Sequence, residues 1–499
     1  MKHSTWTRRH DLMDASQRSD LARVRNMPDL MHAVPAGLDE DGVLAAAGLS
    51  SERASAWSPN RPVVTGDYRR DVAAFVQAWR LGAELLGALP PKASRAPAEA
   101  KAGALIHRLD RSARDSFLHA HVDTLYRSLT RDYTAFVRVE DLVYQAAERI
   151  PGLVPSRKSV AQENTLSQRD KEGIEIDQGI FLSRVLAHSA AGSHLCHAML
   201  LPRAEALEQL STFRERGVLD LGAAIIERRN NAAFVTMRNP RFLNAEDDST
   251  IAAGEIAIDL ATLDPAVEVA VLRGDFVDHP KYRGRRIFSA GINLTHLYYG
   301  KIPFVWYIER DMGLVNKLFR GVATPDSAPD DIASGNPEKP WIAAVEGFAI
   351  GGGCQILLAV DYVIAASDAY MTLPARKEGI LPGAANLRLP RFVGDRIARQ
   401  AIMSGRRLDC DSPEGLLICD EVVPPNDMEE AVARTVEGLT GSGVVSAAGN
   451  RRALRVGMEP LDLFRRYMAV YAREQAHCHF SPALIANLER HWNAQQRTP

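Results

Sequence analysis

The chain has 499 residues, 24% of them charged, and a formal net charge of −2, a length worth about three ordinary domains and ample for a large buried core. So balanced a charge gives no electrostatic footprint for nucleic acid, and no apolar run reaches the roughly 20 residues of a membrane span, because Glu346 and Asp361 interrupt the best candidates. The amino-terminal residues are basic but lack the apolar run of a secretory signal, and five scattered cysteines without paired spacing point to a reduced, cytoplasmic setting.

Residues 1–60 are weakly patterned and read as an arm or tail. Over 61–216 the period is helical: Val72, Phe75, Val76 and Trp79 fall at i, i+3, i+4 and i+7, and Leu118, Val122 and Leu125 continue it. One polar stretch there, "PSRKSVAQENTLSQRDKEG", predicts a long loop or partly disordered linker. From 217 to 425 strands and helices alternate. "AAIIE" and "AAFVTM" flank Arg228–Asn231 as a β-hairpin signature. A helical face of Ile256, Leu260 and Leu263 follows, then the apolar strand "VEVAVLRG". "WIAAVEG", a glycine turn, the helical "CQILLAVD", and the strands "YVIAAS" and "YMTLPA" continue the alternation. Residues 426–499 return to helical spacing. The pattern predicts an all-α N-terminal domain, an α/β core and a C-terminal helical extension, with no internal repeat.

Two glycine turns stand out, "FSAGINL" at 288–294 and "GFAIGGGCQ" at 347–355. Each follows an apolar run and can present backbone N–H groups, and two converging donors make an oxyanion hole. A single such turn is usually tight packing, so the pair carries the weight. Neither matches G-x-G-x-x-G, and no P-loop lysine is present. The histidines offer little for a metal. His119 and His121, like His477 and His479, are two residues apart and face different ways on a helix, while His188, His194 and His197 lack a carboxylate at recognisable spacing. The basic run "KYRGRR", Lys281–Arg286, is equally a solvated loop or a contact for phosphates.

Taken in order, "NPRFLNAE", "FSAGINL", "WIAAVEGFAIGGGCQILLAVDYVIAASDAYMTLPA", "EGILPGAANLRLPRFVG" and "SGRRLD" resemble the crotonase (enoyl-CoA hydratase/isomerase) superfamily over roughly residues 217–425. The resemblance implies an α/β fold built as a crotonase-type spiral of ββα units. It also implies an acyl-CoA thioester substrate whose enolate is held by the N–H groups of Ile292 and Gly352, with Gly291 and Gly353 shaping the thioester site. Relatives of this kind are commonly trimers or hexamers, so a homo-oligomer is expected, with no membrane or nucleic-acid partner.

The departures from the family pattern are informative. Hydratases carry one glutamate where this chain has Gln355 and a second where it has Ala375, so hydration lacks its acid and base at the usual positions. Asn293 also replaces a common aspartate. The chain is most similar to a branch of metal- and cofactor-independent dioxygenases that act on an arylacetyl-CoA thioester in glycopeptide antibiotic biosynthesis. In that branch the enolate reacts directly with O2, the co-substrate. Carried over by position, Glu246 and Arg310 engage the ring hydroxyls, Gln355 faces the reacting centre, and Leu294 with Ile380 lines an apolar oxygen pocket. An electron-rich enolate can pass an electron to O2 in a dry site, and a neutral amide beside it does not return a proton as a carboxylic acid would.

Read from the residues alone, Glu246 falls in the first turn of an expected helix, and Arg310 in a helical stretch defaults to an exposed position. The base that removes the α-proton is not identified; Glu246 or a water remains. The alternatives are another acyl-CoA enzyme of the same fold, a thioester hydrolase or lyase, and a non-catalytic acyl-CoA-binding protein.

Overall fold

A computed structural model describes residues 39–49, 57, 61–329, 335–441 and 444–498. The chain divides into two compact units, Met1–Ser116 and Phe117–Pro499. In the first, α1 (Glu40–Ala46) is capped by the Asp39 carboxylate, which accepts from Gly42 N at 2.9 Å. Its Val43 and Leu44 pack with Trp57, with Leu85 of α2 (Tyr68–Gly87) and with Leu105 and Ile106 of α3 (Pro97–Leu129). Val43, Leu44 and Leu49 therefore belong to a core rather than to an arm. Seven helical residues with two adjacent buried positions are too few to show a period. The remainder of the expected arm lies outside the described residues. On α2, Phe75 and Trp79 are buried while Val72 and Val76 are half-buried.

The second unit continues through α4 (Val139–Arg149), α5 (Arg157–Glu163), α6 (Ile176–Ala187), α7 (Ser189–Leu200) and α8 (Ala204–Arg216). Its helices and the sheet that follows share one unit, so the compact division falls at 116/117 rather than at 216/217. The polar stretch at 155–173 is ordered, contrary to expectation: Ser156 caps α5, and two of its charges, Glu163 and Lys171, are buried. Lys171, fully buried, donates to Asn164 Oδ1 at 2.6 Å, and Glu163 accepts from Glu172 N at 2.7 Å. Composition alone cannot distinguish such internally paired polarity from solvated loop.

The sheets follow as β1 (Val218–Asp220), β2 (Ala224–Arg229), β3 (Ala232–Met237), α9 (Ile251–Leu263), β4 (Val269–Gly274), α10 (Leu294–Tyr298), α11 (Val305–Glu309), α12 (Asn316–Arg320), β5 (Trp341–Val345), β6 (Phe348–Ile350), α13 (Gly352–Leu357), β7 (Tyr362–Ala366), β8 (Tyr370–Thr372), α14 (Ala375–Glu378), α15 (Ala385–Arg399), β9 (Leu408–Asp409) and β10 (Glu421–Val423). Four helices close the chain: α16 (Met428–Thr440), α17 (Val444–Met458), α18 (Leu461–His479) and α19 (Pro482–Trp492). One sheet has the order β1-β2-β3-β4-β5-β7-β10 and a smaller one β6-β8-β9. The β2–β3 hairpin forms as expected, with Asn230 at φ +54° in its turn. From β3 to β10 the large sheet is parallel. Consecutive strands alternate between sheets, β5 then β6, β7 then β8, which is the ββα spiral the motifs imply.

Helix α9 explains why this core is rigid. It is buried on nearly all sides, and Glu255 and Asp259 take Lys317 Nζ at 2.8 and 2.7 Å, while Arg138 reaches Glu255 at 2.9 Å. A second buried cluster anchors the C-terminal helices: Glu459 pairs with Arg388 at 2.8 Å, Arg391 at 3.0 Å and Arg320 at 3.3 Å. Burial alone would raise its carboxyl, but the guanidiniums outweigh that and hold it at about 2. Because the folded value is depressed, this stabilisation is present above the ordinary carboxylate range and is lost as pH falls toward 2. Glu459→Gln leaves guanidiniums buried without their anion, so we expect a loss of roughly 3–5 kcal/mol near neutral pH, read as a lower urea midpoint.

Candidate active site

The loop after β3 leads to the first wall of the site. Asn244 sits at φ +54°, with its Nδ2 donating to Asp275 O at 2.7 Å and Ile287 O at 2.8 Å. Glu246 follows, not in a helix as expected but in a parallel bridge with Ile292; α9 begins only at Ile251. In that bridge Glu246 N donates to Gly291 O at 2.7 Å and Asn293 N donates to Glu246 O at 2.8 Å. Alternation along an extended strand turns the intervening Ile292 N–H to the other side, where Ile292 lines a cavity. Asn293 caps α10, accepting from His296 N at 3.2 Å and donating to Asp247 at 2.9 Å.

The second glycine turn joins the first through a bridge between Ser289 and Ala349, where Ile350 N donates to Ser289 O at 3.0 Å. Gly291, at φ +78°, packs so closely that a Cβ there would lie 2.7 Å from Ile350 O and 3.2 Å from Gly352 N. Gly352 is the first residue of α13, so its N–H has no partner within that helix. Ile292 and Gly352 thus line one cavity from turns in direct contact. Gly353 is placed differently: its α-carbon packs on Ser289, where a Cβ would stand 2.8 Å from that side chain, so it supports the turn rather than the cavity wall.

Arg310 ties these parts together. It begins a π-helical turn, Arg310–Val315, between α11 and α12, and such a turn shifts the phase of the side chains that follow. Arg310 is 3% exposed instead of solvated. Its Nε donates to Glu246 Oε1 at 3.0 Å, one terminal nitrogen donates to Gln355 Oε1 at 2.8 Å and Asp311 at 3.0 Å, and the other donates to Gly352 O at 2.9 Å. Burial alone would lower its pKa, and the carboxylates of Glu246 and Asp311 outweigh this and raise it. Glu246 Oε2 lies 2.9 Å from the guanidinium yet outside hydrogen-bond alignment. That leaves one carboxylate oxygen as a buried acceptor beside the Gly352 α-carbon.

Apolar side chains close the cavity, among them Trp306, Leu373, Ile380 and Leu381. Its free space is about 30 Å³, room for one or two water-sized molecules. Leu294 does not line it; half-buried, it opens α10 instead. Asp311, Glu378 and Tyr471 also line the cavity, and the sequence reading missed all three. Asp311 adjoins Arg310 and Glu378 lies one helical turn beyond Ala375, so local signals existed for both. Tyr471 arrives on α18, far along the chain, with no such signal. Burial raises the Asp311 carboxyl, against the pull of Arg310, Arg388 and the Tyr471 hydroxyl.

Other sequence candidates stand elsewhere. His194 has both nitrogens engaged, Nδ1 with the Tyr126 hydroxyl at 2.8 Å and Nε2 with Tyr133 O at 3.0 Å. Among the described residues no group of three or more His, Cys, Asp or Glu side chains is placed to hold a metal ion, and no helix is long and apolar enough to cross a membrane. In "KYRGRR", Arg285 pairs with Asp368 at 2.7 Å and Arg286 stacks on Phe276 at 4.2 Å.

Residues 331–469 match the enoyl-CoA hydratase/isomerase family model. The chain is 47% identical over 407 residues, 81% of its length and 92% of the relative's, to (3,5-dihydroxyphenyl)acetyl-CoA 1,2-dioxygenase of Amycolatopsis orientalis. It is 28% identical to a short-chain-enoyl-CoA hydratase of Clostridium acetobutylicum over 48% of this chain and 84% of that one. Among solved structures, an enoyl-CoA hydratase of Mycobacterium avium subsp. paratuberculosis K-10 aligns with a TM-score of 0.46 and 22% identity, covering 56% of this chain and 98% of that one. The chain belongs to the enoyl-CoA hydratase/isomerase, or crotonase, family.

Proposed function

We propose that the protein is a dioxygenase that converts 3,5-dihydroxyphenylacetyl-CoA and O2 to 3,5-dihydroxyphenylglyoxylate and CoA, without a metal or organic cofactor. The carrying observation is that the two donor turns are retained while Gln355 and Ala375 occupy the positions of the hydratase carboxylates. The Amycolatopsis relative's name describes the same substrate class. In this reading the thioester oxygen lies against the Ile292 and Gly352 N–H groups, which stabilise the charge that develops when an α-proton leaves. Glu246 Oε2 accepts from a ring hydroxyl, and Arg310 holds that carboxylate in place. The apolar wall around Ile380 keeps water from the enolate while O2 adds to its α-carbon. Overall both α C–H bonds and the thioester C–S bond break, the product carries both atoms of O2, and CoA and a proton are released. An aryl thioester exceeds the present free space, so binding it requires side chains along the cleft to part. We place the protein in the cytoplasm as a homo-oligomer, a trimer or hexamer.

An oxygen-electrode trace with chelator-treated protein and 3,5-dihydroxyphenylacetyl-CoA tests this. Uptake of one O2 per CoA released is expected. CoA release without uptake would assign a hydrolase, binding without either would assign a carrier, and uptake abolished by chelator would end the metal-free reading.

A further inference from the structure

Two glutamates line the cavity, and their surroundings differ. Glu246 is clamped by Arg310. Glu378, the last residue of α14, lines the same cavity as Gly352, Ile292 and Gln355, yet among the described residues no cation or hydrogen bond offsets its burial. Its own helix directs the cations away: Arg376 donates to Met403 O at 3.1 Å, and Lys377 packs at Gly405. From α19, Leu484 and Asn487 pack against the Gly379 turn that follows. From α11 the facing group is the Tyr307 hydroxyl, which Glu378 helps to raise well above its ordinary pKa after burial itself. Across the cavity stand Arg310, Asp311 and Tyr471, and Arg310 donates to Glu246, Asp311, Gln355 and Gly352 O. Although Glu378 is only half-buried by exposure, this apolar setting pushes its carboxyl up to about 7.

An ion-paired carboxylate is a weak base, whereas an unpaired one in an apolar pocket is basic enough to take a proton near neutral pH. The hydratase carboxylate missing at Ala375 has a counterpart one helical turn on. We propose that Glu378 is the general base that removes the substrate α-proton. The α C–H bond breaks, its proton passes to the Glu378 carboxylate, and its electron pair delocalises into the thioester carbonyl facing Ile292 and Gly352. This step needs no oxidant. It rests on the acyl-CoA reading above but precedes any encounter with O2, so it can be tested without it.

The experiment compares the wild-type protein with Glu378→Gln and Glu378→Asp. Under nitrogen in D2O, mass spectrometry follows deuterium entering the α-carbon of 3,5-dihydroxyphenylacetyl-CoA, and in air an electrode follows O2 uptake. Glu378→Gln should lose at least a hundredfold in both exchange and uptake while the thioester Kd stays within a few-fold, and Glu378→Asp should recover part of each. Wild-type kcat/KM should rise with pH through about 7, because the base must be ionised in the free enzyme, and Glu378→Gln should lose that rise. Exchange and uptake within threefold of wild type in Glu378→Gln would overturn the assignment. Wild-type exchange that Glu378→Gln abolishes, without any O2 uptake, would leave Glu378 as the base and refute the dioxygenase reading instead.

Discussion

Gly352→Ala should lower kcat for O2 uptake at least a thousandfold. The added Cβ would stand 1.9 Å from Glu246 Oε2 and 2.9 Å from an Arg310 nitrogen. The nearest atom belongs to a side chain, but not a free one, because Arg310 holds the Glu246 carboxylate through Nε and a terminal nitrogen. Relief therefore has to come from the turn itself, and displacing the turn moves the Gly352 N–H. One misplaced oxyanion donor costs about 10²–10³ in rate, and loss of the Glu246 position adds to that. Overpacking of this kind costs about 1–3 kcal/mol of stability, so the variant should remain folded by circular dichroism, with a modestly lower Tm. Gly352→Val should behave the same way. Uptake within tenfold of wild type in a folded Gly352→Ala protein would remove Gly352 from the oxyanion hole.

Arg310→Met should be the most destabilising single change at the site. It removes the cation between Glu246, 3% exposed, and Asp311, 2% exposed, and buried charges left without a partner cost roughly 3–5 kcal/mol. The effect depends on pH in a definite direction. Asp311, already raised by burial and held down by Arg310 and Arg388, loses its adjacent cation and takes up a proton at higher pH in the folded state. A carboxyl whose folded value is raised penalises folding above that value, and the penalty disappears below the unfolded one. The stability gap to wild type, from urea midpoints, should thus be widest near pH 7 and narrow toward pH 4. Activity should fall more than a hundredfold, since Gln355 and Gly352 O lose their common donor. Arg310→Lys should not restore it, because one ammonium cannot span acceptors arranged for a planar fork. A gap that does not change with pH would show that Arg310 is not the compensating charge.

Strands β2 to β5, β7 and β8 and the two glycine turns are legible because each is local. An apolar run ended by glycine announces β5 and the turn at 351–353, and Asn230–Asn231 announces the hairpin. Ile292 and Gly352 followed from motif position. Glu246 is expected in a first helical turn, whereas it stands in a bridge with Ile292, and the Asn244 amide before it is spent on Asp275 O and Ile287 O. Leu294, expected at an oxygen pocket, is not among the residues lining the Gly352 cavity, because the residue after Asn293 opens α10. Both errors concern the direction of a side chain where extended backbone changes course.

By itself the sequence determined the α/β alternation, the pair of glycine turns, and the absence of carboxylates at 355 and 375. These depend on spacing within a few residues, where backbone sterics and the helical or extended period act. Only the tertiary structure decided which charges are compensated. Arg310, buried at the start of a π-helical turn, clamps Glu246 and holds Gln355, and α18 brings Tyr471 to the same cavity from a distant part of the chain. Glu378, in the same sequence run as Lys377, has no cation offsetting its burial among the described residues. Whether a carboxylate is held as an anion or left basic depends on the distance to a guanidinium and on the water excluded around both, and neither quantity is encoded in the order of neighbouring residues.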